Sequence, residues 1–303
     1  MKYILTTGCS FTNNIRFNPN NPIIVDNGGR NSWPYYLQKE LGNDYIVYNL
    51  GGATNDNVSM CRIIYYWISK LVNNGIPHKD ISVIIQWSDP NRESIYLKTE
   101  TTTETITQPH SLIYWDNWEK ENGIFYLTGG FSPPDDTLEY FGIGNAVKYW
   151  ELEVNWNNII NQTLRWLESW NFLLLYFEKW GITHNYMSMR NPFSYEAYDV
   201  FFGAPENNSS IPTKTIWFDK YEILKPYLNT LPINSELYWH YKNYNGLLEW
   251  TIDNFKNLNP FQETEDVSYE EYLKMQPNGW GHPSDVMMEL FVKTELINKL
   301  KYE

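Results

Sequence analysis

The chain has 303 residues, which suits one large α/β domain with insertions, and its 42% hydrophobic and 19% charged residues exclude wholesale disorder and fibrous repeats. Its 36 acidic and 23 basic residues give a formal net charge of −13, which repels phosphate backbones and excludes nucleic acid as an expected partner. No secretory signal is expected at its start and no apolar run is long enough to span a bilayer, so we expect a cytoplasmic protein without membrane contact.

Alternating strands and helices through the first 90 residues predict a doubly wound parallel sheet. A β-rich run ending at Gly8 predicts the first strand, and Ser32-Trp33-Pro34 has the cap and the first-turn proline of a helix start. Apolar residues at spacings of three and four predict one buried stripe on the next helix. The predicted elements are a strand at 3–7, a helix from Ser32 to Gly42, a strand at 45–48, a helix from Asn55 to Gly75 that buries Val58, Cys61, Ile64, Tyr65, Ile68, Leu71 and Val72, and a central strand at 81–87.

Beyond residue 90 the same alternation continues around two aromatic-rich insertions, placed at about 94–150 and 192–262. The first is Thr-rich with scattered Gly and Pro, which predicts β-hairpins or long loops. The second suits a lid with short helical pieces at 221–228 and 236–255. The remaining elements are a long helix ending at Gly181, a strand at 182–189 and a last helix after Pro283, capped by Ser284, that turns Met287, Leu290, Phe291, Thr294 and Ile297 inward. We therefore predict a single domain, 1–303, with a flavodoxin-like parallel sheet between two helix layers (α/β/α).

Aromatic residues are unusually frequent, with 14 Trp and 24 Tyr, and they cluster at 114–118 and 238–241. Flat amphipathic rings bind sugar faces and form protein interfaces. Large aromatic side chains also supply most of the burial in a core. We favour the core interpretation and keep the other open.

Ligands of doubly wound sheets bind outside the carboxyl ends of the strands, and four polar patterns are expected there. The turn at 8–12 would expose the Ser10 hydroxyl, which is where an esterase needs its nucleophile, although a turn serine is more often a cap residue. The loop at 49–55 carries glycines that let a backbone N–H approach a ligand. The other two patterns are the polar residues 86–92 after the central strand and 281–284 before the last helix.

His282 has the clearest functional context of the five histidines. The following proline fixes it on a loop from which it can reach the end of the first strand. Ser10 and His282 thus fall at opposite ends of the sequence but at one predicted sheet edge, where an imidazole can activate a hydroxyl. A single histidine is more often structural, so the prediction depends on the two residues meeting.

These motifs resemble those of the SGNH (GDSL-like) hydrolases. Gly8-Cys9-Ser10-Phe11-Thr12 is similar to the serine motif of that family in the GCSFT form of its bacteriophage members. Further similar motifs are Trp33-Pro34, the Asn-Leu-Gly-Gly turn with Asn55-Asp56, and the closing His-Pro-Ser. The resemblance covers the core, about residues 1–92, 156–191 and 276–300, and leaves both insertions outside it.

The resemblance implies a serine-esterase mechanism. Ser10 would attack an ester carbonyl, His282 would accept and return the proton, and the backbone N–H groups of Ser10 and Gly52 would hold the oxyanion. The family places a third oxyanion donor, an Asn in a Gly-x-Asn-Asp motif, after the third strand; here Asn91 or Ser88 would substitute. The residues expected to line the pocket are Asn55, Trp87, Ser88, Asp89, Arg92 and Trp280.

The acid of the triad is missing from its usual place. Family members carry Asp two or three residues before the histidine, and this chain has Trp280 and Gly279 there. Because the acid orients the imidazole and stabilises its charged form, either another group replaces it or the enzyme is weak or inactive.

Two functions follow from these patterns. One is an esterase or deacetylase acting on a small ester or an acylated carbohydrate. The other is an inactive binding or structural protein with the same fold, such as a phage virion component that contacts virion proteins or further copies of itself. Cys9 as nucleophile is less favoured, because alternation along the strand turns it away from Ser10. Neither a zinc site nor a disulfide framework is expected from two cysteines, and no metal or cofactor is predicted.

Overall fold

A computed structural model describes residues 1–9, 11–12, 31–52, 55–90, 93–98, 123–128, 156–196, 217–255, 283 and 285–300. Its strands are β1 (Lys2–Thr7), β2 (Tyr45–Asn49), β3 (Ile81–Trp87), β4 (Glu93–Lys98), β5 (Gly123–Thr128), β6 (Thr183–Ser188) and β7 (Tyr238–Trp239). The helices are α1 (Trp33–Leu41), α2 (Asn57–Asn73), α3 (Trp156–Trp180), α4 (Tyr227–Thr230), α5 (Leu247–Phe255), α6 (Asp285–Phe291) and α7 (Ile297–Leu300). A π turn at Val292–Leu296 joins the last two, and 3₁₀ turns lie at Gly42–Asp44, His78–Asp80, Phe218–Lys220 and Pro232–Asn234.

Five parallel strands form the central sheet in the order β2-β1-β3-β6-β7. This is the flavodoxin-like order, and it confirms the predicted α/β fold with a parallel sheet. The central position of β3 explains its nearly continuous apolar sequence, because a strand covered on both faces has no solvent side. Strands β4 and β5 pair antiparallel in a separate sheet, which confirms β structure in the first insertion.

Helices cover the sheet on both faces. The connections from β1 to β2 and from β2 to β3 move in opposite directions across the sheet, so right-handed crossovers place α1 and α2 on opposite faces. Helix α3 packs on α2, while α6 and the following π turn pack on α1. The core therefore consists of two layers, one on each side of the sheet.

Local sequence signals set the helix ends. The N-cap of α1 is Ser32, Pro34 lies in its first turn, and Gly42 ends it with a φ of 68° that favours glycine. In α2 the cap is Asp56, whose side chain accepts a hydrogen bond from Ser59 N at 2.9 Å. The Ser32 hydroxyl does not cap its own helix, because it donates to the Thr12 carbonyl at 2.7 Å.

The predicted stripe on α2 is wrong at Tyr65, which is 44% exposed. Ile63 and Trp67 are buried instead. The helix packs on the sheet beneath it and on α3 beside it, so it buries a broader face than a single narrow stripe.

The inward face of the last helix also differs from the prediction. Leu290 and Thr294 are exposed, whereas Met287, Phe291 and Ile297 are buried as predicted. The π turn advances by five residues per bond instead of four. Met288, Val292 and Leu296 are buried beside those three residues, so the inward face is broader than the predicted stripe.

Part of the predicted second insertion belongs to the core. Within the helix predicted at 236–255, Tyr238 and Trp239 instead form β7, the fifth strand of the main sheet, and only 247–255 is helical. Tyr186 N donates to Leu237 O at 2.8 Å, which ties this segment to β6. The described residues 217–255 thus complete the sheet and its core, and the lid interpretation is wrong for them.

The described aromatic residues pack mainly with one another in the core. Trp87, Trp166, Trp170 and Tyr186 are buried, with ring centroids 5.0 to 6.0 Å apart along their contacts. The predicted cluster at 238–241 extends this group through Tyr238, while 114–118 lies outside the described residues. Across the described ranges, none of the helices has the length and apolar character needed to cross a membrane.

Candidate functional site

The candidate site lies at the carboxyl edge of the sheet, beside β1 and β3. Strand order reverses between these two strands, because the chain runs outward from β1 to β2 and then crosses back to β3. Ligands of such sheets bind in the crevice at this switch point. The loops that meet there follow β1, β2, β3 and β6.

Thr12 is the anchor of the turn after β1. Its carbonyl accepts hydrogen bonds from the Ser32 hydroxyl at 2.7 Å and from Asn49 Nδ2 at 2.8 Å. Its own hydroxyl donates to Gln86 Oε1 at 2.6 Å and accepts from Trp33 Nε1 at 3.1 Å. All five residues are buried, so the turn is joined to α1, β2 and β3 by bonds shielded from water.

Gly8 has to be glycine because its neighbours leave no room for a side chain. A Cβ there would collide with the Thr12 side chain and come within 3.0 Å of Gln86 Cβ. The Gly8 carbonyl accepts hydrogen bonds from Gly52 N at 3.0 Å and from Asn55 Nδ2 at 3.2 Å. These bonds join the first loop to the second.

The N–H of Gly52 is therefore already engaged with a backbone carbonyl, and its predicted contact with an oxyanion stays a prediction. Asn55, predicted to line the pocket, is buried and directed at Gly8. In the described arrangement both residues hold the two loops together.

Cys9 points into the core. It is completely buried, and its Sγ lies 3.4 Å from Met189 Sδ at the end of β6. A nucleophilic thiol needs access and an electropositive setting, and this apolar contact supplies neither. The structure therefore disfavours Cys9 as the nucleophile.

The end of β3 is held by Asn57. Its side chain accepts from Ser88 N at 2.7 Å and donates to Ser88 O at 3.1 Å, as a neighbouring strand would. Trp87, predicted to line the pocket, is instead a core residue within the aromatic group. Ser88 is buried too.

An ion pair joins the loops after β3 and β6. The Asp89 carboxylate accepts from Arg190 Nε, and both side chains are largely buried, at 4% and 11% exposed. Arg190 thus fixes Asp89, one of the predicted pocket residues, against the neighbouring loop. Removing one partner of a buried ion pair strongly destabilises the protein, because the other charge stays buried without a partner.

Glu249 holds the loop after β6 in place through hydrogen bonds from two backbone N–H groups. Its two carboxylate oxygens accept from Asn191 N at 3.0 Å and Gly246 N at 2.9 Å. Burial raises the pKa of Glu249, while its hydrogen bonds and the charge of Arg190 lower it in part. Sequence reasoning missed Arg190 and Glu249. Arg190 could have been found by applying the carboxyl-edge rule to the strand predicted at 182–189.

Three buried polar atoms near these loops have no hydrogen-bond partner in the described part of the chain: Asp56 Oδ2, Gln86 Nε2 and Ser88 Oγ. Unpaired buried polar atoms are rare in proteins because they forfeit their hydration. Atoms of the same kind occur elsewhere in the described core, for example Trp67 Nε1 and Trp166 Nε1, so these three do not by themselves mark a binding site.

Five predicted site residues lie outside the described residues: Ser10, Asn91, Arg92, Trp280 and His282. Their roles stay predictions. The flanking residues are described: Cys9 and Phe11 are buried on either side of position 10, and Pro283 is buried just before α6. Among the described residues, no group of three His, Cys, Asp or Glu side chains is arranged to hold a metal ion.

Comparisons with protein-family models, with curated proteins and with solved structures give no match for this chain. The resemblance to the SGNH hydrolases is thus carried by the motifs in the sequence.

Proposed function

We propose that this protein is a serine hydrolase of the SGNH type, with Ser10 as nucleophile and His282 as base. The observation that carries the proposal is the anchoring of the turn at 8–12. Gly8 and Thr12, on either side of position 10, are both fixed at the β1/β3 switch point. A rigid turn at this point is what a nucleophile needs to meet a substrate in one orientation.

The packing of the last helix supports His282 as the base. Lys293 Nζ lies 3.8 Å from Glu40 Oε1, near the end of α1. Helix α6, which precedes Lys293 in the chain, packs on α1. Counting back along both helices brings the start of α6 beside the start of α1, where Trp33 contacts the turn after β1. The described Pro283 therefore lies toward the same edge, and this supports the proposal that the neighbouring position 282 supplies the base.

The other described histidines have structural surroundings. His78 stacks on Trp180 ahead of β3, at the amino end of the sheet, and His184 lies at the start of β6. His240 is bonded to Ile233 O at 2.6 Å and stacks on Tyr238, and burial lowers its pKa to about 4. Its ring therefore serves to pack β7 against its neighbours.

The proposed reaction proceeds through an acyl-enzyme. His282 takes the Ser10 proton as the oxygen attacks the ester carbonyl, and the imidazolium returns that proton to the departing alkoxide. Water then attacks the acyl group by the same route, which releases the carboxylic acid and restores Ser10. The Ser10 backbone N–H, with Asn91, would stabilise the developing oxyanion, and the Gly52 N–H would join them only by giving up its bond to the Gly8 carbonyl.

A binding or structural protein of the same fold is the alternative, and one observation favours it. Asp89 is a carboxylate at this edge of the sheet, yet it is occupied by Arg190 and so is unsuited to orient an imidazole. Positions 279 and 280, where the family has an acid, hold Gly and Trp. A virion component that keeps the fold but lacks turnover would fit both facts.

Covalent labelling by a fluorophosphonate probe separates the two functions. We expect the wild-type chain to be labelled at neutral pH, Ser10→Ala to abolish labelling, and His282→Ala to slow it by about 10²-fold or more, because the base is lost. Ser235→Ala, which removes an exposed hydroxyl bonded only to the nearby backbone groups Pro232 O and Leu237 N, is the matched control and should label normally. Absence of wild-type labelling, or labelling that survives Ser10→Ala, contradicts the hydrolase proposal.

A further inference from the structure

Helices α2 and α3 form an exposed groove on the face of the molecule away from the sheet. The groove has a volume of about 630 Å³, and small side chains at Cys61, Ser69 and Ser169 lie between its bulkier walls. Tyr65 on one wall and Phe172 on the other are 44% and 58% exposed, and Leu175 follows on α3 at 59% exposed. Exposed apolar side chains grouped on two neighbouring helices make this face a candidate interaction surface.

Helices α2 and α3, which form the two walls of the groove, run side by side in the same direction. Both helices lead from the carboxyl edge of one parallel strand to the amino end of the next, so they run in the same direction. The Tyr65 ring contacts the Phe172 ring at 6.1 Å and the Tyr176 ring at 5.3 Å between centroids, so Tyr65 lies beside the turn 172–176 of α3. Arg62 and Glu168 each lie about one helical turn before that contact, on opposite walls.

Arg62 and Glu168 are both exposed, and within the described residues neither has an ion-pair partner. The groove therefore presents a positive group on one wall and a negative group on the other, within about one helical turn of each other, which two long side chains can span. A two-fold axis parallel to the groove exchanges the walls without changing the level. This axis would place Arg62 of each copy against Glu168 of the other copy, and Tyr65 of each copy against Phe172 of the other. Each contact therefore occurs twice in the dimer.

The geometry points to a second copy of this chain as the occupant of this face, in a two-fold dimer in which α2 of each copy packs on α3 of the other. The dimer buries the apolar face and pairs the charges left without partners, so the surface is complementary to itself. This inference is independent of the proposed hydrolase activity.

The first experiment measures mass against concentration by analytical ultracentrifugation, from about 1 to 100 µM, a range that brackets micromolar affinity. Physiological ionic strength limits the repulsion between two chains of charge −13. The wild type should reach twice the 36.0 kDa mass of the chain. Phe172→Glu should raise the dimer Kd at least about tenfold, because it places a charge in the apolar centre. Ile223→Glu, at an equally exposed apolar residue elsewhere, is the matched control and should leave the Kd unchanged.

The second experiment tests the symmetry. R62E and E168R should each weaken their own homodimer, because each sets two like charges against each other. An equimolar mixture should recover wild-type affinity as a heterodimer. In that species the glutamate introduced at position 62 of one copy faces the arginine introduced at position 168 of the other, and the native pair forms on the opposite side of the axis. Native mass spectrometry with a mass tag on one variant identifies it.

A wild type that stays monomeric through the range overturns the dimer. If Ile223→Glu raises the dimer Kd as much as Phe172→Glu does, this face is not the interface. If the mixture of R62E and E168R does not recover wild-type affinity, the two-fold arrangement is wrong. Circular dichroism of each variant establishes that it is folded before its mass is compared.

Discussion

Thr12 shows how much of this site depends on one side chain. Its hydroxyl is both a donor, to Gln86, and an acceptor, from Trp33, while its carbonyl binds two further side chains. Removing the hydroxyl leaves two buried polar groups without a partner, and such groups cost more than the hydrogen bonds themselves contribute. The position therefore tolerates serine better than any apolar residue.

Thr12→Val should lower the free energy of unfolding by about 1–3 kcal/mol, because the Gln86 carbonyl and the Trp33 N–H stay buried and unpaired. Thr12→Ser, which keeps the hydroxyl and loses one methyl group, should cost about 1 kcal/mol or less. Urea denaturation of the two variants provides the comparison. Equal losses would mean that the methyl group, and not the hydrogen bonding, holds the turn.

At the scale of the element, β7 illustrates how a two-residue strand is secured. His240 follows the strand directly. Its Nε2 lies 2.6 Å from the Ile233 carbonyl oxygen, and its ring stacks on the Tyr238 ring with 4.4 Å between centroids. Tyr238 in turn bonds through its hydroxyl to Ser188 at 2.5 Å, on the neighbouring strand. Side chains therefore supply much of the stability that a longer backbone ladder would give.

The depressed pKa of His240, about 4, makes this element sensitive to acid. The unfolded chain takes up a proton near the ordinary histidine value while the folded chain does not, so stability is lost as pH falls from there toward about 4. Between pH 7 and pH 5 we expect the free energy of unfolding to drop by about 2 kcal/mol from this group. His240→Gln should remove that part of the slope in urea denaturation across the same range. An unchanged slope would assign the pH dependence to other groups.

At the scale of the whole molecule, residues 217–255 unite the sheet with the last helix. Trp250 is buried, its ring lies 5.3 Å from that of Phe291, and its Nε1 donates to Glu295 at 3.3 Å. Trp239 bonds the same carboxylate from β7. The segment therefore belongs to the cooperative unit of the fold.

Trp250→Ala should lower the free energy of unfolding by about 3–5 kcal/mol in one transition, because the cavity opens in the shared core. Ile223→Ala, at an exposed residue of the same segment, is the control and should change it by less than about 0.5 kcal/mol. Thermal unfolding followed by both circular dichroism and tryptophan fluorescence distinguishes one transition from two. A separate early transition in Trp250→Ala would show that the segment unfolds by itself.

The sequence by itself determined the local elements of this protein. Ser32, Pro34 and Gly42 set the ends of α1, and the nearly continuous apolar run at 81–87 identified β3 as central, because capping and burial period act over a few neighbouring residues. It also predicted which loops meet at one edge of the sheet, since the carboxyl ends of parallel strands lie together.

Tertiary structure alone decided which distant groups bond there. The pairing of Asp89 with Arg190, the bond from Gly52 to Gly8 and the place of Tyr238 and Trp239 in the sheet join residues separated by tens of positions. Such contacts leave no local period in the sequence, because their free energy comes from a partner that only the folded chain brings within reach.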